Sequence, residues 1–162
     1  MIEVTAAALA GHPFLRGMPP GQLDALAAAA SDVTFPAGHR IFDDGGFAAR
    51  FWLIQSGHVA LDVHVPGSGR VTIDSIGIGD LLGCSWLFPP YQWEFGAVCV
   101  GPVEAFEFDA AAIRARCAAD PLFASELTGR LLRVLARRLQ STRTRLIARS
   151  VANAAGSATA DA

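Results

Sequence analysis

The sequence contains no lysine. All thirteen of its basic residues are arginine, and fifteen acidic residues bring the net charge to −2. Cysteine is scarce as well, and the three present, Cys84, Cys99 and Cys117, are widely spaced. That spacing excludes a disulfide framework and a metal-binding knuckle, and it offers no cysteine cluster for an iron–sulfur centre. We therefore expect no cofactor and no bound metal.

Long apolar runs are also lacking, although 52% of the residues are hydrophobic. No run reaches the length that spans a bilayer, and the N-terminus lacks the basic region of a secretory signal. These absences predict a cytoplasmic protein without membrane contact. A chain of 162 residues is long enough for one domain with a full core. We assign that domain to residues 1–149 and expect a disordered tail at 150–162.

Short segments of alternating hydrophobicity, separated by glycine-containing turns, fill residues 33–108. Phe51–Ile54, His58–Val65 and Arg70–Ile76 are examples, and a period of two over such lengths indicates β-strands. Regular spacing of many short strands predicts a jelly-roll-like β-roll, a double-stranded β-helix. Helical patterns precede and follow it, so the expected fold is mainly β, with short N-terminal helices and a long C-terminal helix.

The C-terminal helix is expected over residues 121–147, with Pro121 at its first position. Apolar residues recur along it at the a and d spacing of a coiled coil, which predicts a homodimer through this helix. The seam consists of Leu132, Leu135, Leu139, Thr142 and Leu146. Residues 121–162 also carry seven arginines against two acids, a balance that suits an acidic partner or nucleic acid. Because no lysine or aromatic residue lies between these arginines, we expect the helix to lie against its own body or a second copy.

The segment 78–97 interrupts the strand pattern. A turn at Gly77–Asp80 leads into Leu81–Trp86, which we expect to form one or two helical turns that end before Pro89-Pro90. The N–H groups at such a helix start attract anions, and Gly83 lets a ligand approach the backbone. The alternative is that the aromatic residues of this segment fill the core.

Several motifs in this order resemble the cyclic nucleotide-binding domain, as in the sensory domains of bacterial regulators similar to the catabolite activator protein. The matching segments, between about residues 10 and 147, are Phe14–Met18, Phe35–Gly38, Gly45–Gly57 and Gly79–Gly83, the last of which opens the family's phosphate-binding cassette. The resemblance implies a β-roll flanked by helices, in which the C-terminal helix closes a pocket and often dimerises. It also implies that ligand in the pocket shifts this helix.

The cassette departs from the family at the positions that bind the nucleotide. The resemblance places Cys84 at the family's ribose-binding glutamate, Glu94 at its phosphate-binding arginine and Phe95 at the small hydroxyl residue after it. No arginine lies between Arg70 and Arg114. An arginine–phosphate bond contributes about 1.5–3 kcal/mol, whereas a glutamate facing an anion costs up to about 4 kcal/mol. We therefore expect a regulatory module that does not bind cyclic nucleotides in the usual way.

Six residues define the candidate pocket: Gly83, Cys84, Ser85, Trp86, Glu94 and Phe95. We expect it either to be filled by aromatic side chains, namely Trp86, Tyr91, Trp93 and Phe95, or to accept an uncharged or cationic apolar ligand. The alternative is a genuine cyclic AMP or cyclic GMP receptor with a rewired cassette.

Enzymatic and DNA-binding functions find little support in the sequence. His58 and His64 share a strand face but lie about 20 Å apart, too far for one metal. No nucleophile elbow is visible, so we predict that the protein is not an enzyme. The 16 residues after Leu146 are too few for a helix-turn-helix. We therefore predict no sequence-specific DNA binding, and action on an unidentified partner protein.

Overall fold

The computed structural model describes residues 3–160 and shows eight β-strands between flanking helices. Two short helices, α1 (Ala6–Ala10) and α2 (Pro20–Ala27), precede the strands, with a 3-10 turn at Pro13–Leu15 between them. Helices α3 (Ala110–Ala119) and α4 (Pro121–Ala160) follow. The strands are β1 (Ala30–Phe35), β2 (Arg40–Phe42), β3 (Arg50–Ser56), β4 (Val59–Val65), β5 (Gly69–Ile76), β6 (Leu81–Leu82), β7 (Gly96–Cys99) and β8 (Val103–Asp109).

The strands form two antiparallel sheets of four strands each, in the orders β1-β8-β3-β6 and β2-β7-β4-β5. Since strands distant in sequence pair within each sheet, the chain rolls up as a β-roll. The predicted fold class is therefore confirmed. The strands begin at Ala30 and end at Asp109, close to the predicted limits of 33 and 108.

Alternation along β3 gives the first sheet two apolar faces. Phe51 points to one side, where its ring stacks on Trp86 at 4.4 Å and on Phe108 at 4.8 Å. Trp52 points to the other side and stacks on Phe42 of the second sheet, with 5.6 Å between ring centroids. Successive side chains of a strand face opposite ways, so β3, buried from Phe51 to Ile54, belongs to two layers of core. One lies between the sheets and the other on the outside of the first sheet.

Helices α3 and α4 both begin at aspartate caps. The Asp109 carboxylate accepts a hydrogen bond from the Ala112 N–H at 2.8 Å, and Asp120 does the same for Leu122 and Phe123 at 3.1 and 3.2 Å. Such caps satisfy N–H groups that the first helical turn leaves unpaired. The unit ending at Leu127 is compact, and the rest of α4, from Thr128, forms a second unit.

Helix α4 continues to Ala160, whereas we expected it to end near residue 147 and to be followed by a disordered tail. Five of the residues from 151 to 160 are alanine, which has the highest helix propensity. The sequence prediction relied on apolar periodicity, which this stretch lacks, and so it missed these turns. Within residues 3–160, none of the helices combines the length and apolar character needed to cross a bilayer.

Candidate ligand site at the phosphate-binding cassette

The cassette segment is tied to the first sheet at its start. The Gly79 N–H donates to the Ile54 carbonyl at 2.9 Å, and the Ile54 N–H donates to Asp80 at 3.0 Å. Leu81–Leu82 then pair with β3 as β6, and a 3-10 turn follows at Ser85–Leu87. The sequence predicted one or two helical turns from Leu81, so the structure corrects this to a short strand and three helical residues. So short a turn has little dipole with which to attract an anion.

Trp86 anchors the cassette on the outside of the first sheet. Its side chain is fully buried against Phe51, and its indole N–H donates to the Gly83 carbonyl at 3.2 Å. Its own carbonyl accepts a hydrogen bond from Arg114 of α3 at 2.7 Å. Trp86 therefore fixes the cassette to the outer face of the first sheet and does not line a cavity between the sheets.

Trp93 lies on the opposite side of the cassette, between the two sheets. Its ring stacks on Phe42 at 3.9 Å and lies 6.1 Å from the Trp52 ring. The edge of the ring covers Gly83, because a Cβ added at that glycine would lie 2.8 Å from Trp93 Cη2. Gly83 also has a φ of +93°, a conformation that favours glycine. The space that the resemblance assigns to a ligand above Gly83 is thus taken up by an indole ring.

The six predicted pocket residues differ in how deeply they are buried. Gly83, Cys84 and Ser85 are half-buried and Trp86 is buried, whereas Glu94 and Phe95 are exposed. We expected Glu94 to face and repel a bound anion. Water screens an exposed carboxylate, so any repulsion by Glu94 would be weaker than for a buried group, and the repulsion itself stays a prediction.

A groove of about 290 Å³ lies beside the inter-sheet aromatic rings. Phe42, Trp52 and Trp93 line it together with Phe47, which is 63% exposed. Its charged wall consists of Arg50 and Glu107, which contact each other. Glu107 also accepts a hydrogen bond from the Trp52 indole at 2.8 Å. The groove therefore offers aromatic surface and a carboxylate whose charge is offset by Arg50.

Charged residues of three strands of the second sheet meet around Asp62 of β4. The buried Asp62 carboxylate accepts hydrogen bonds from Arg40 at 3.1 and 2.7 Å and from Arg70 at 2.9 Å. The hydrogen bonds from Arg40 lower the pKa of Asp62 below its ordinary value of 3.8. A side chain at Gly96, which pairs with Asp62, would collide with the Asp62 and Arg40 side chains. We call Arg40, Asp62 and Arg70 the Asp62 network.

The sequence analysis missed this network and the role of Arg114. The residues of the Asp62 network are distant in sequence and meet only through the register of the sheet. Arg114 follows the cassette by about one strand and one helical turn, yet its guanidinium reaches the Trp86 carbonyl and lies 4.3 Å from the Tyr91 ring centre. For the Asp62 network and for Arg114 alike, the sequence shows only an arginine within a strand or helix and does not indicate its partner.

Among residues 3–160, no group of three or more His, Cys, Asp or Glu is placed to hold a metal ion. A β-roll with a cassette, flanked by helices, is the architecture of a ligand-sensing domain. The family model for the cyclic nucleotide-binding domain matches residues 32–120. The chain therefore belongs to the cyclic nucleotide-binding domain family.

Individual relatives agree with this assignment. A CRP-like cAMP-activated global transcriptional regulator of Mycobacterium tuberculosis is 32% identical over 138 residues, which are 85% of this chain and 60% of the regulator. The chain thus spans 60% of the length of the curated relatives that it matches.

Solved structures share the fold. A cyclic nucleotide-binding protein of Geobacter metallireducens has a TM-score of 0.76 at 24% identity, over 86% of this chain and 99% of its own. The catabolite activator protein of Thermus thermophilus has a TM-score of 0.64 at 27% identity, over 85% of this chain and 63% of its own.

Proposed function

We propose that this chain is a non-enzymatic regulatory module of the cytoplasm that acts on a partner protein and does not bind cyclic nucleotides through the usual cassette contacts. The observation that carries the proposal is the Trp93 ring over Gly83. The absence of an arginine between Arg70 and Arg114 supports it. A nucleotide would have to displace this ring and would find no cassette guanidinium.

The two effects together are large enough to decide the outcome. Removing the arginine–phosphate bond loses about 1.5–3 kcal/mol, and exposing a buried aromatic side chain costs about 1.5–3 kcal/mol. Their sum corresponds to roughly a hundredfold to ten-thousandfold in affinity. A family site of micromolar affinity would thus bind with a Kd of about 0.1 to 10 mM.

Titration calorimetry with cyclic AMP and cyclic GMP tests the proposal. We expect no saturable heat below about 0.1 mM nucleotide. The matched variant Trp93→Ala uncovers Gly83 without adding a cation, and we expect it to bind detectably but weakly. Micromolar binding by the natural chain would contradict the proposal.

The second candidate is a genuine cyclic nucleotide receptor with a rewired cassette. It is favoured by the 32% identity to a regulator described as cAMP-activated and by the presence of Arg50 at the groove. In that case Arg50 would replace the missing cassette arginine. Arg50→Gln would then abolish nucleotide binding, while the exposed Arg16→Gln control would leave it unchanged.

We also propose that the module forms a homodimer through α4. The predicted seam residues Leu132, Leu135, Leu139 and Leu146 are 60, 37, 52 and 59% exposed in the single chain, and Thr142 is exposed as well. An apolar stripe at a and d spacing stabilises a helix when it pairs with a second stripe.

Light scattering tests the dimer. Leu135→Arg places a charge in the seam and should halve the mass, whereas Gln140→Arg, outside the seam, should not. An unchanged mass for Leu135→Arg would contradict the dimer.

A further inference from the structure

A second exposed face of α4 lies beside the proposed dimer seam. At 100° per residue, Arg133, Arg137, Arg143, Ile147 and Val151 fall within about one third of the helix circumference, on the side away from Leu135. All three arginines are exposed, and Ile147 and Val151 are 66 and 64% exposed. We call this set the outer face of α4.

The charge of this part of the chain is of one sign. Residues 128–160 contain seven arginines and no acidic residue, whereas residues 3–127 contain six arginines and fourteen acids. Oppositely charged side chains at i, i+4 spacing stabilise a surface helix, and this segment has no such pair. A helix of charge +7 that displays apolar residues on its exposed side is a surface to which an acidic segment is complementary.

We propose that the outer face of α4 binds an acidic amphipathic helix of the partner protein. This inference rests on the proposed function, because it names the chemistry of the partner on which the module acts. Carboxylates on the bound helix would pair with Arg133, Arg137 and Arg143. One or two of its apolar side chains would cover Ile147 and Val151.

Other polyanions fit the outer face less well. Nucleic acid would gain nothing from Ile147 and Val151, and the face has no aromatic side chain on which a base could stack. A membrane surface would need a wider apolar face, and here Gln140 and Thr144 interrupt it. A protein helix uses both the charge and the apolar residues.

Fluorescence anisotropy with the full chain and a synthetic peptide tests the inference. The probe is a labelled helical peptide with glutamates at i, i+4 spacing and two leucines on the same face, and its control carries glutamine in place of glutamate. We expect saturable binding of the glutamate peptide alone. Exposed ion pairs contribute about 0.2–1 kcal/mol each, so the triple variant Arg133→Gln/Arg137→Gln/Arg143→Gln should weaken binding about tenfold.

A matched triple variant on another face of the same helix supplies the control. Arg138→Gln/Arg145→Gln/Arg149→Gln removes the same charge and should change the affinity less than about threefold. Ile147→Ser/Val151→Ser should weaken binding about fivefold or more, since apolar burial is lost. Equal losses for the two arginine triples would overturn the inference, because attraction would then depend on net charge alone.

Three further results would also overturn it. They are tighter binding to duplex DNA than to the peptide, tighter binding to phosphatidylserine-containing vesicles, and binding of the peptide only to a chain already monomeric through Leu135→Arg. The last would mean that peptide and second copy compete for one seam. Because none of these measurements uses a cyclic nucleotide, they fail or succeed independently of the calorimetric test of the cassette.

Discussion

The two tryptophans of the cassette are buried in different ways. Trp86 is held on the outside of the first sheet by stacking on Phe51 and by hydrogen bonds to Gly83 and Arg114. Trp93 lies between the sheets, borders an open groove and fits over Gly83. The outer contacts thus fix the cassette to the first sheet, while on the inner side an indole ring lies against Gly83. We therefore expect any conformational change of the cassette to occur around Trp93, between the sheets, and not around Trp86.

The largest expected effect comes from removing the outer anchor. Trp86→Ala leaves a closed cavity beneath the cassette and should lower the free energy of unfolding by about 4–5 kcal/mol. Trp93→Ala opens onto the groove, into which water can enter, and should cost about 3 kcal/mol, the lower end for such changes. Urea denaturation followed by circular dichroism measures both. Equal losses of unfolding free energy in the two variants would contradict the distinction between the two tryptophans.

The inner side also depends on the Asp62 network. Asp62→Asn removes the charge that Arg40 and Arg70 share and replaces one accepting oxygen with an NH2 donor, which should cost about 2 kcal/mol at neutral pH. Asp43→Asn, whose side chain is 59% exposed, is the control and should cost less than about 1 kcal/mol. If both variants lower the free energy of unfolding by the same amount, burial does not explain the contribution of Asp62 to stability.

Acid should weaken the same network. The pKa of Asp62 is lowered in the folded state by hydrogen bonds from Arg40, so its contribution to stability is complete above the ordinary value of 3.8. It is lost as the pH falls from that value through the folded pKa. The stability gap between the natural chain and Asp62→Asn should therefore narrow below about pH 4. A gap that is constant with pH would contradict this assignment.

A smaller effect is expected at His12 on the outer side. The Phe14 N–H donates to His12 Nδ1 at 3.2 Å, and Nε2 lies 3.0 Å from the Ile54 carbonyl. These contacts suit the neutral ring with its proton on Nε2, and protonation of Nδ1 would remove the acceptor. His12→Gln should cost about 1 kcal/mol at neutral pH.

Burial lowers the pKa of His12 from 6.5, so the unfolded chain binds more protons below that pH. Stability should fall as the pH drops below about 6.5, more in the natural chain than in His12→Gln. Denaturation midpoints of both chains, measured as the pH is lowered from about 7, test this direction. If the midpoint depends on pH equally in the natural chain and in His12→Gln, the prediction is wrong.

The smallest effect is expected at Glu94. Its side chain is exposed, so Glu94→Gln should change stability by less than about 0.5 kcal/mol. Calorimetry should show that the variant still fails to bind cyclic AMP, because Trp93 remains over Gly83. Nucleotide binding restored by this change alone would show that the carboxylate, and not the indole, controls the site.

The comparison also shows what the sequence could predict. Alternating segments such as His58–Val65 and the turns between them indicate the strands, because burial on one face imposes a period of two. The aromatic filling of the cassette was predicted as one alternative, but its division into Trp86 outside and Trp93 inside depends on how the sheets pack. Likewise, Asp62 meets Arg40 and Arg70 only through strand register, which has no local signal.

The turn between β2 and β3 forms hydrogen bonds both to Arg70 of the Asp62 network and to Trp93. Arg70 donates to the Asp43 carboxylate at 3.1 Å. Two residues further along the turn, the Gly45 N–H donates to the Trp93 carbonyl at 2.7 Å, and the Trp93 N–H donates to the Gly46 carbonyl at 2.8 Å. The hairpin of β4 and β5 is thus linked to the backbone of Trp93 through hydrogen bonds of this turn. Removing that link with Arg70→Gln should therefore alter the surroundings of Trp93, which near-UV circular dichroism of a chain with Trp52 and Trp86 replaced by phenylalanine would report.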